Sequence, residues 1–481
     1  MNPTLATVVD AAPAAQRGTA GTAYALPVAA DARAALARGW LWLALVSLLG
    51  SGLFSVLLVA SRTPGLNRLF DRPDFFRVAL VVHVDLSVLV WFCALAGLLW
   101  TLNGSARGLR WGWAAFGACA AGAALMALAP FVGSGEPVMA NYIPVLDDAV
   151  FTAALLLFGG GIALLVLRAL WAAAPIGPQL DAAAALRFGL NASVVAVAVA
   201  LLAFGWSSLV VPRALDARTY YEILFWGGGH ALQFAWTLLL LVAWLWLAGA
   251  CGARLPLSPR LAVALFALAL LSVFVTPVAY LVAPPTTVEH RELHTWAMRI
   301  GGGLAIAPVA LAVLVGLAAR RGRAGGVAPA QQPLRAALLS SMLLFAAGGL
   351  IGVFINGSNV RVPAHYHGAI VGVTLALMGL VLLLLPRLGY REPQGRLAHA
   401  QPWVYGLGQL LHILGLVWSG GYGVQRKVAG SEQVLRSFGE VAGMGLMGLG
   451  GAVAIVGGLL FVWVVVRALR APEREAGRCR R

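Results

Sequence analysis

The sequence predicts an all-α integral membrane protein of twelve transmembrane helices, and three observations carry that expectation. The 481 residues are 60% hydrophobic and only 11% charged, a composition far from that of a soluble domain. Twelve apolar stretches reach roughly 20 residues or more, the length a helix needs to cross a bilayer. The connections between them are short, so one membrane domain with no soluble module is expected.

Taken in order, a tail over 1–37 comes first. It is rich in Ala and carries Asp10, Arg17, Asp31 and Arg33. It lacks the basic start and unbroken apolar run of a signal peptide, and reads as loose. The membrane domain is expected over 38–468. Its spans are 38–60, 77–101, 111–132, 149–173, 187–211 and 220–249, then 260–283, 296–319, 336–356, 363–386, 402–422 and 438–467. A basic tail over 469–481 closes the chain with Arg474, Arg478, Arg480 and Arg481.

Charge placement predicts the orientation. With the N-terminus cytoplasmic, the inner segments hold 22 of the 34 Lys and Arg residues but only 6 acidic ones. The outer segments hold 12 basic and 11 acidic residues. Both termini are therefore expected inside, in a multi-pass protein of a bacterial-type inner membrane. The net charge of +16 then faces the anionic inner leaflet, and no nucleic-acid partner is needed to explain it. Cys93, Cys119, Cys251 and Cys479 show no spacing for a disulfide framework, a zinc site or covalent haem attachment.

The polar residues inside the spans point to the chemistry. His83 sits near the start of the second span, and Ala364-His365-Tyr366-His367-Gly368 opens the tenth. His230 lies about ten residues into the sixth. All even spans start outside, so these four imidazoles share a layer roughly 6–15 Å below the outer surface at 1.5 Å rise per residue. Residues at i and i+2 of a helix point about 200° apart. His365 and His367 can thus offer one ligand nitrogen to each side of a helix, which suits two separate metal centres. Imidazole is a standard axial ligand of haem iron, so two haems are expected. For His230 alone, a helix–helix hydrogen bond is the competing reading.

These residues resemble subunit I of the haem–copper oxidases, a family that includes the large subunit of nitric oxide reductases. Ala364-His365-Tyr366-His367 is similar to the family's tenth-helix motif. The resemblance implies that His365 holds a high-spin haem, and that His367 with His83 holds a low-spin haem. Val82-His83-Val84-Asp85-Leu86 through Val90-Trp91 resembles the second-helix segment. Pro386-Arg387-Leu388 resembles the reductase branch, and Gly229-His230-Ala231 resembles the segment bearing the first copper ligand. His412-Ile413-Leu414-Gly415-Leu416 resembles the end of the eleventh helix. Arg426-Lys427 beyond it would be the basic pair at the haem propionates.

Two departures stand out. The family's copper takes an adjacent His pair at the outer end of the seventh helix. Here Thr276-Pro277-Val278-Ala279 is followed by Tyr280, Leu281 and Val282. Many oxidases carry a tyrosine four residues after the sixth-helix histidine; here that position is Phe234, with Tyr280 as a candidate substitute. Glu289-His290-Arg291-Glu292-Leu293-His294 puts two histidines at i and i+4, on one face if helical. With His230 they are candidates for copper or another metal. The competing expectation, and the preferred one at this level, is a solvated outer loop touching propionates or a partner subunit.

The remaining candidates are bland. Gly227-Gly228-Gly229 reads as tight helix packing or as close approach of a macrocycle. Asp85 reads as a hydrogen-bond acceptor or as part of an outer water pocket, and His399 as a solvated loop residue. No acidic residue falls in the inner half of any span, so protons for gas reduction would come from outside.

The expected function is a membrane dihaem oxidoreductase. It would pass electrons, taken on the outer side from a donor subunit or cytochrome c, to a haem that reduces O2 or NO. A dihaem electron-transfer or gas-sensing protein without a complete copper site is the alternative. A haem-free transporter is disfavoured by the lack of an internal repeat and of paired broken helices.

Overall fold

The computed structural model describes residues 21–69, 73–133, 135–321 and 327–470. The first 20 residues and the basic tail with Cys479 lie outside them. Among the described residues, twelve long helices run in chain order. They are α1 Arg33–Arg62, α2 Phe75–Asn103, α3 Leu109–Val132, α4 Ala149–Trp171, α5 Ala182–Val210 and α6 Ala217–Ala250. Then come α7 Pro259–Val282, α8 Val288–Arg321, α9 Gln332–Val353, α10 Arg361–Leu384, α11 Arg396–Gly421 and α12 Phe438–Leu469. Among the described residues, eleven of these are long and apolar enough to cross a membrane. The twelfth, α11, has 26 residues but carries Gln401, Gln409 and His412 along its length.

Helix starts follow local chemistry. Asp148, Asp181, Asp216 and Ser258 each accept a hydrogen bond from a backbone N–H three residues on, at the starts of α4, α5, α6 and α7. Ser437 and Glu440 form a reciprocal capping box on α12. At its far end α2 is capped by three arginines. Arg33 donates to the Leu102 and Gly104 carbonyls, Arg187 to Asn103 and Arg168 to Ser105. Cations there satisfy the last carbonyls and oppose the helix dipole.

The histidine-bearing helices are the enclosed ones. Of the most apolar window of each helix, 89% is buried in α6 and 83% in α10, against 22% in α1. From Leu238 to Ala248 no residue of α6 is more than 2% exposed. Close backbone contact helps. At Gly348 on α9 a side chain would run into Gly368 and Ala369 of α10, so glycine is required for these two helices to meet.

Two helices are irregular. α2 opens into a wide π turn over Asp85–Val90, directly after His83. α7 breaks at Phe274. The cause is Pro277, whose ring clashes with the carbonyl four residues back and which cannot donate to it.

The end of the N-terminal tail is not loose. Tyr24 is fully buried and donates from its hydroxyl to the Leu257 carbonyl at 3.0 Å. Thr22 pairs as an antiparallel bridge with Leu255. The turn between α6 and α7 leaves carbonyls that this segment satisfies, so residues 21–26 strap the end of the bundle away from the histidines.

Candidate functional site

All even-numbered helices begin at one end of the bundle, and the site is built there. Six of the eight histidines place Nδ1 against a main-chain carbonyl. The contacts are His83 to Ser51 at 3.0 Å, His230 to Trp226 at 2.8 Å, His290 to Ala283 at 3.1 Å. The others are His294 to His290 at 2.8 Å, His365 to Gly348 at 2.7 Å and His412 to Met447 at 3.0 Å. A carbonyl only accepts, so Nδ1 carries the proton and Nε2 keeps its lone pair. Metal-binding histidines are oriented in this way by their outer partners.

His365 and His367 diverge as their spacing requires. His365 turns to the Gly348 carbonyl of α9. At Gly352, one turn on, a side chain would strike the His365 ring. His367 turns instead to α11, where its ring centroid is 4.8 Å from that of His412. His83 lies within electrostatic range of both His367 and His412, so α2, α10 and α11 bring three imidazoles together. His412 stood in the sequence only as part of a motif; its place beside His367 has no local signal.

A second group corrects the sequence reading of Glu289 to His294. That stretch is not a solvated loop but the first turns of α8. Its i, i+4 spacing turns both histidines inwards, each 1% exposed, while Glu289, Arg291 and Glu292 stay outside. The ring centroids of His290 and His294 are 4.7 Å apart, and His294 is 5.4 Å from His230. Nε2 of His290 and Nε2 of His294 are buried without a hydrogen-bond partner. Two orphaned lone pairs beside a third imidazole fit a cation. Even so, among the described residues no three donor atoms are gathered as around a bound ion; the rings share a pocket but their nitrogens are not converged.

Tyr280 points inwards, edge-on to His290 at 4.6 Å, with its hydroxyl 2.6 Å from the Ser207 hydroxyl. Leu281 and Val282 face outwards, 73% and 67% exposed. Of these three only Tyr280 faces the histidine group, and the imidazoles beside it come from α8. Phe234 is buried at 2% exposure. The three glycines before His230 seat aromatic rings. Side chains at Gly227, Gly228 and Gly229 would strike Tyr280, Phe204 and Tyr142 in turn.

Tyr142 escaped sequence reasoning altogether. It sits in a hairpin between α3 and α4 whose strands are Glu136–Val138 and Val145–Asp147. Its hydroxyl is 3.0 Å from both ring nitrogens of His230, 88 residues away. Burial, and then the nearby Tyr366 and Glu222, push its phenol well above the ordinary range, so it is protonated at neutral pH.

Arg426 and Lys427 line a polar cavity of about 280 Å³ with Asn141, Arg218, Thr219, Glu222 and Arg291. Arg426 donates to the Ser358 hydroxyl at 3.1 Å and Lys427 to the Met139 carbonyl at 2.5 Å. Burial and the Arg426 charge lower the Lys427 amine to about 8. Four cations around one carboxylate suit an anionic guest. Asp85 opens the π turn of α2, is 1% exposed, and neither of its oxygens has a hydrogen-bond partner.

Comparison with known proteins bears on this geometry. Residues 35–459 match the family described as Cytochrome C and Quinol oxidase polypeptide I. An uncharacterised protein of Rickettsia prowazekii is 29% identical over 89% of this chain and 95% of its own length. An uncharacterised protein of Aquifex aeolicus is 30% identical over 74% of this chain and 86% of its own. Cytochrome c oxidase subunit 1 of Thermus thermophilus is 28% identical over 54% of this chain and 49% of its own length.

Proposed function

Because the chain belongs to the cytochrome c and quinol oxidase polypeptide I family, we propose that it is a dihaem membrane oxidoreductase that reduces O2 or NO. Its membership makes it a subunit I-like membrane protein; the donor set supports the rest of the reading. His83 and His367 would hold the low-spin haem, and His365 the high-spin haem. The observation that carries the two-centre reading is the divergence of His365 towards α9 and His367 towards α11. Bound haem would supply electron transfer at a six-coordinate iron and gas binding at a five-coordinate one.

The chain's own residues do the rest. Carbonyls of Ser51 and Gly348 hold the His83 and His365 rings, fixing the nitrogens that face the irons. Arg426 and Lys427, with Arg218 and Arg291, offer cations to propionates. His230, His290 and His294 would hold a second metal. Three imidazoles suit copper, zinc or iron, and the two unpartnered Nε2 atoms support this site. Electrons would arrive at the histidine end, from a donor subunit or cytochrome c, with both termini on the opposite, cytoplasmic side.

The alternative is a dihaem electron-transfer or gas-sensing protein without that metal. The unconverged donor atoms favour it, and metal content decides between the two. For the haem assignment, His365→Ala should abolish the carbon monoxide difference spectrum and spare the low-spin haem bands. An unchanged carbon monoxide spectrum would refute the role given to His365.

A further inference from the structure

Two non-glycine residues among those described have positive φ, Tyr142 at 70° and Lys427 at 63°. Both border the same end of α6, and Lys427 is bonded to the carbonyl of Met139, three residues before Tyr142. Such backbone is strained and persists only where its surroundings over-determine it. Around Tyr142 they do. Glu222, two turns before His230 on α6, accepts from both the backbone N–H of Asn141, at 3.0 Å, and its side-chain amide. The Tyr142 ring lies edge-on to Trp226 at 6.0 Å and 5.0 Å from His230. Below it Gly229 leaves the space that any side chain would fill. The hydroxyl thus reaches His230 from a hairpin whose Val138, Ile143, Val145 and Leu146 are themselves buried in the core.

We infer that Tyr142, held in place by Glu222 through Asn141, is a positioning residue for His230 in the three-histidine site. The Trp226 carbonyl fixes Nδ1 of His230, and the phenol oxygen, 3.0 Å from both ring nitrogens, lies over the face of the ring and restrains its tilt. The sixth-helix tyrosine that Phe234 replaces is thereby answered by a side chain from another part of the chain. This inference rests on the proposed metal site.

The test uses the purified full chain titrated with Cu(II) alone, read by affinity and by the electron paramagnetic resonance spectrum. Tyr142→Phe keeps the ring on Gly229 and removes only the hydroxyl; Glu222→Gln leaves the ring untouched. Each is expected to weaken Cu(II) binding 10–100-fold, the usual effect of losing an outer partner of a ligand, and to shift the spectrum in the same way. Glu222→Asp should restore most of it, and the double variant should be no worse than either single one, because both act on one ring. Wild-type affinity and spectrum in both single variants, with binding lost in His230→Ala, would overturn the role of Tyr142 alone. A wild-type chain that binds no Cu(II), or a His230→Ala chain that binds it equally, would overturn the metal site and this inference with it. Should one single variant not fold, the other decides.

Discussion

Lys427 buries most of its amine against the Met139 carbonyl and among Arg218, Arg291 and Arg426. With its folded-state value near 8 and an ordinary value near 10.4, the unfolded chain binds more protons between those two pH values. Stability therefore rises with pH across that window and gains nothing from this group below it. The thermal midpoint of the wild type should climb relative to Lys427→Gln between pH 8 and 10. A flat difference would show that the amine is not held in a cation-rich pocket. A carboxylate guest such as a propionate would push the amine back up and erase the slope, so the same titration reads occupancy. The haem-ligand candidates were legible at this scale because His365-x-His367 encodes its own geometry: two residues on one helix must diverge. Tyr142, Glu222, Arg218 and Arg291 were not. Each gains its meaning from a partner tens of residues away, and no local pattern marks a hairpin that folds into a bundle.

At the scale of elements, glycines on α6 set what can approach His230. Gly229→Ala would drive a methyl into the Tyr142 ring and should lower stability by about 1–3 kcal/mol, read from the thermal midpoint. Gly159→Ala on α4, where nothing lies within 4 Å, should be neutral or slightly stabilising because alanine favours helix. Equal losses at both sites would mean that general helix packing, not the Tyr142 seat, is being measured. The spans themselves were readable because twenty-residue apolar runs admit one solution in a bilayer. Their ends were harder. Charge made Glu289 to His294 look like loop, yet the i, i+4 spacing lets one face be buried while Glu289, Arg291 and Glu292 stay wet. Pro277 decides the other surprise. It breaks α7 at Phe274, and in the segment beyond Tyr280 is buried while Leu281 is exposed, a phase that spacing counts miss.

For the whole molecule, twelve long helices return the described C-terminal end to the side of the strap at Tyr24. The charge excess there argues for the cytoplasm. Ser431→Cys, exposed at the histidine end, should react with a membrane-impermeant maleimide in intact cells. Gln179→Cys, exposed at the other, should react only after permeabilisation. The reverse pattern would invert the topology and move electron entry to the inside. Among the described residues, the bundle's far half is apolar around α6 and strapped by residues 21–26.

That account stands most directly on the metal content of the purified chain. Elemental analysis should find two irons and one further metal atom per chain, the further metal alone disappearing from His290→Ala and His294→Ala. Two irons with no third metal in the wild type would contradict the three-histidine centre, and no iron at all would contradict the haem sites from which the functional reading starts.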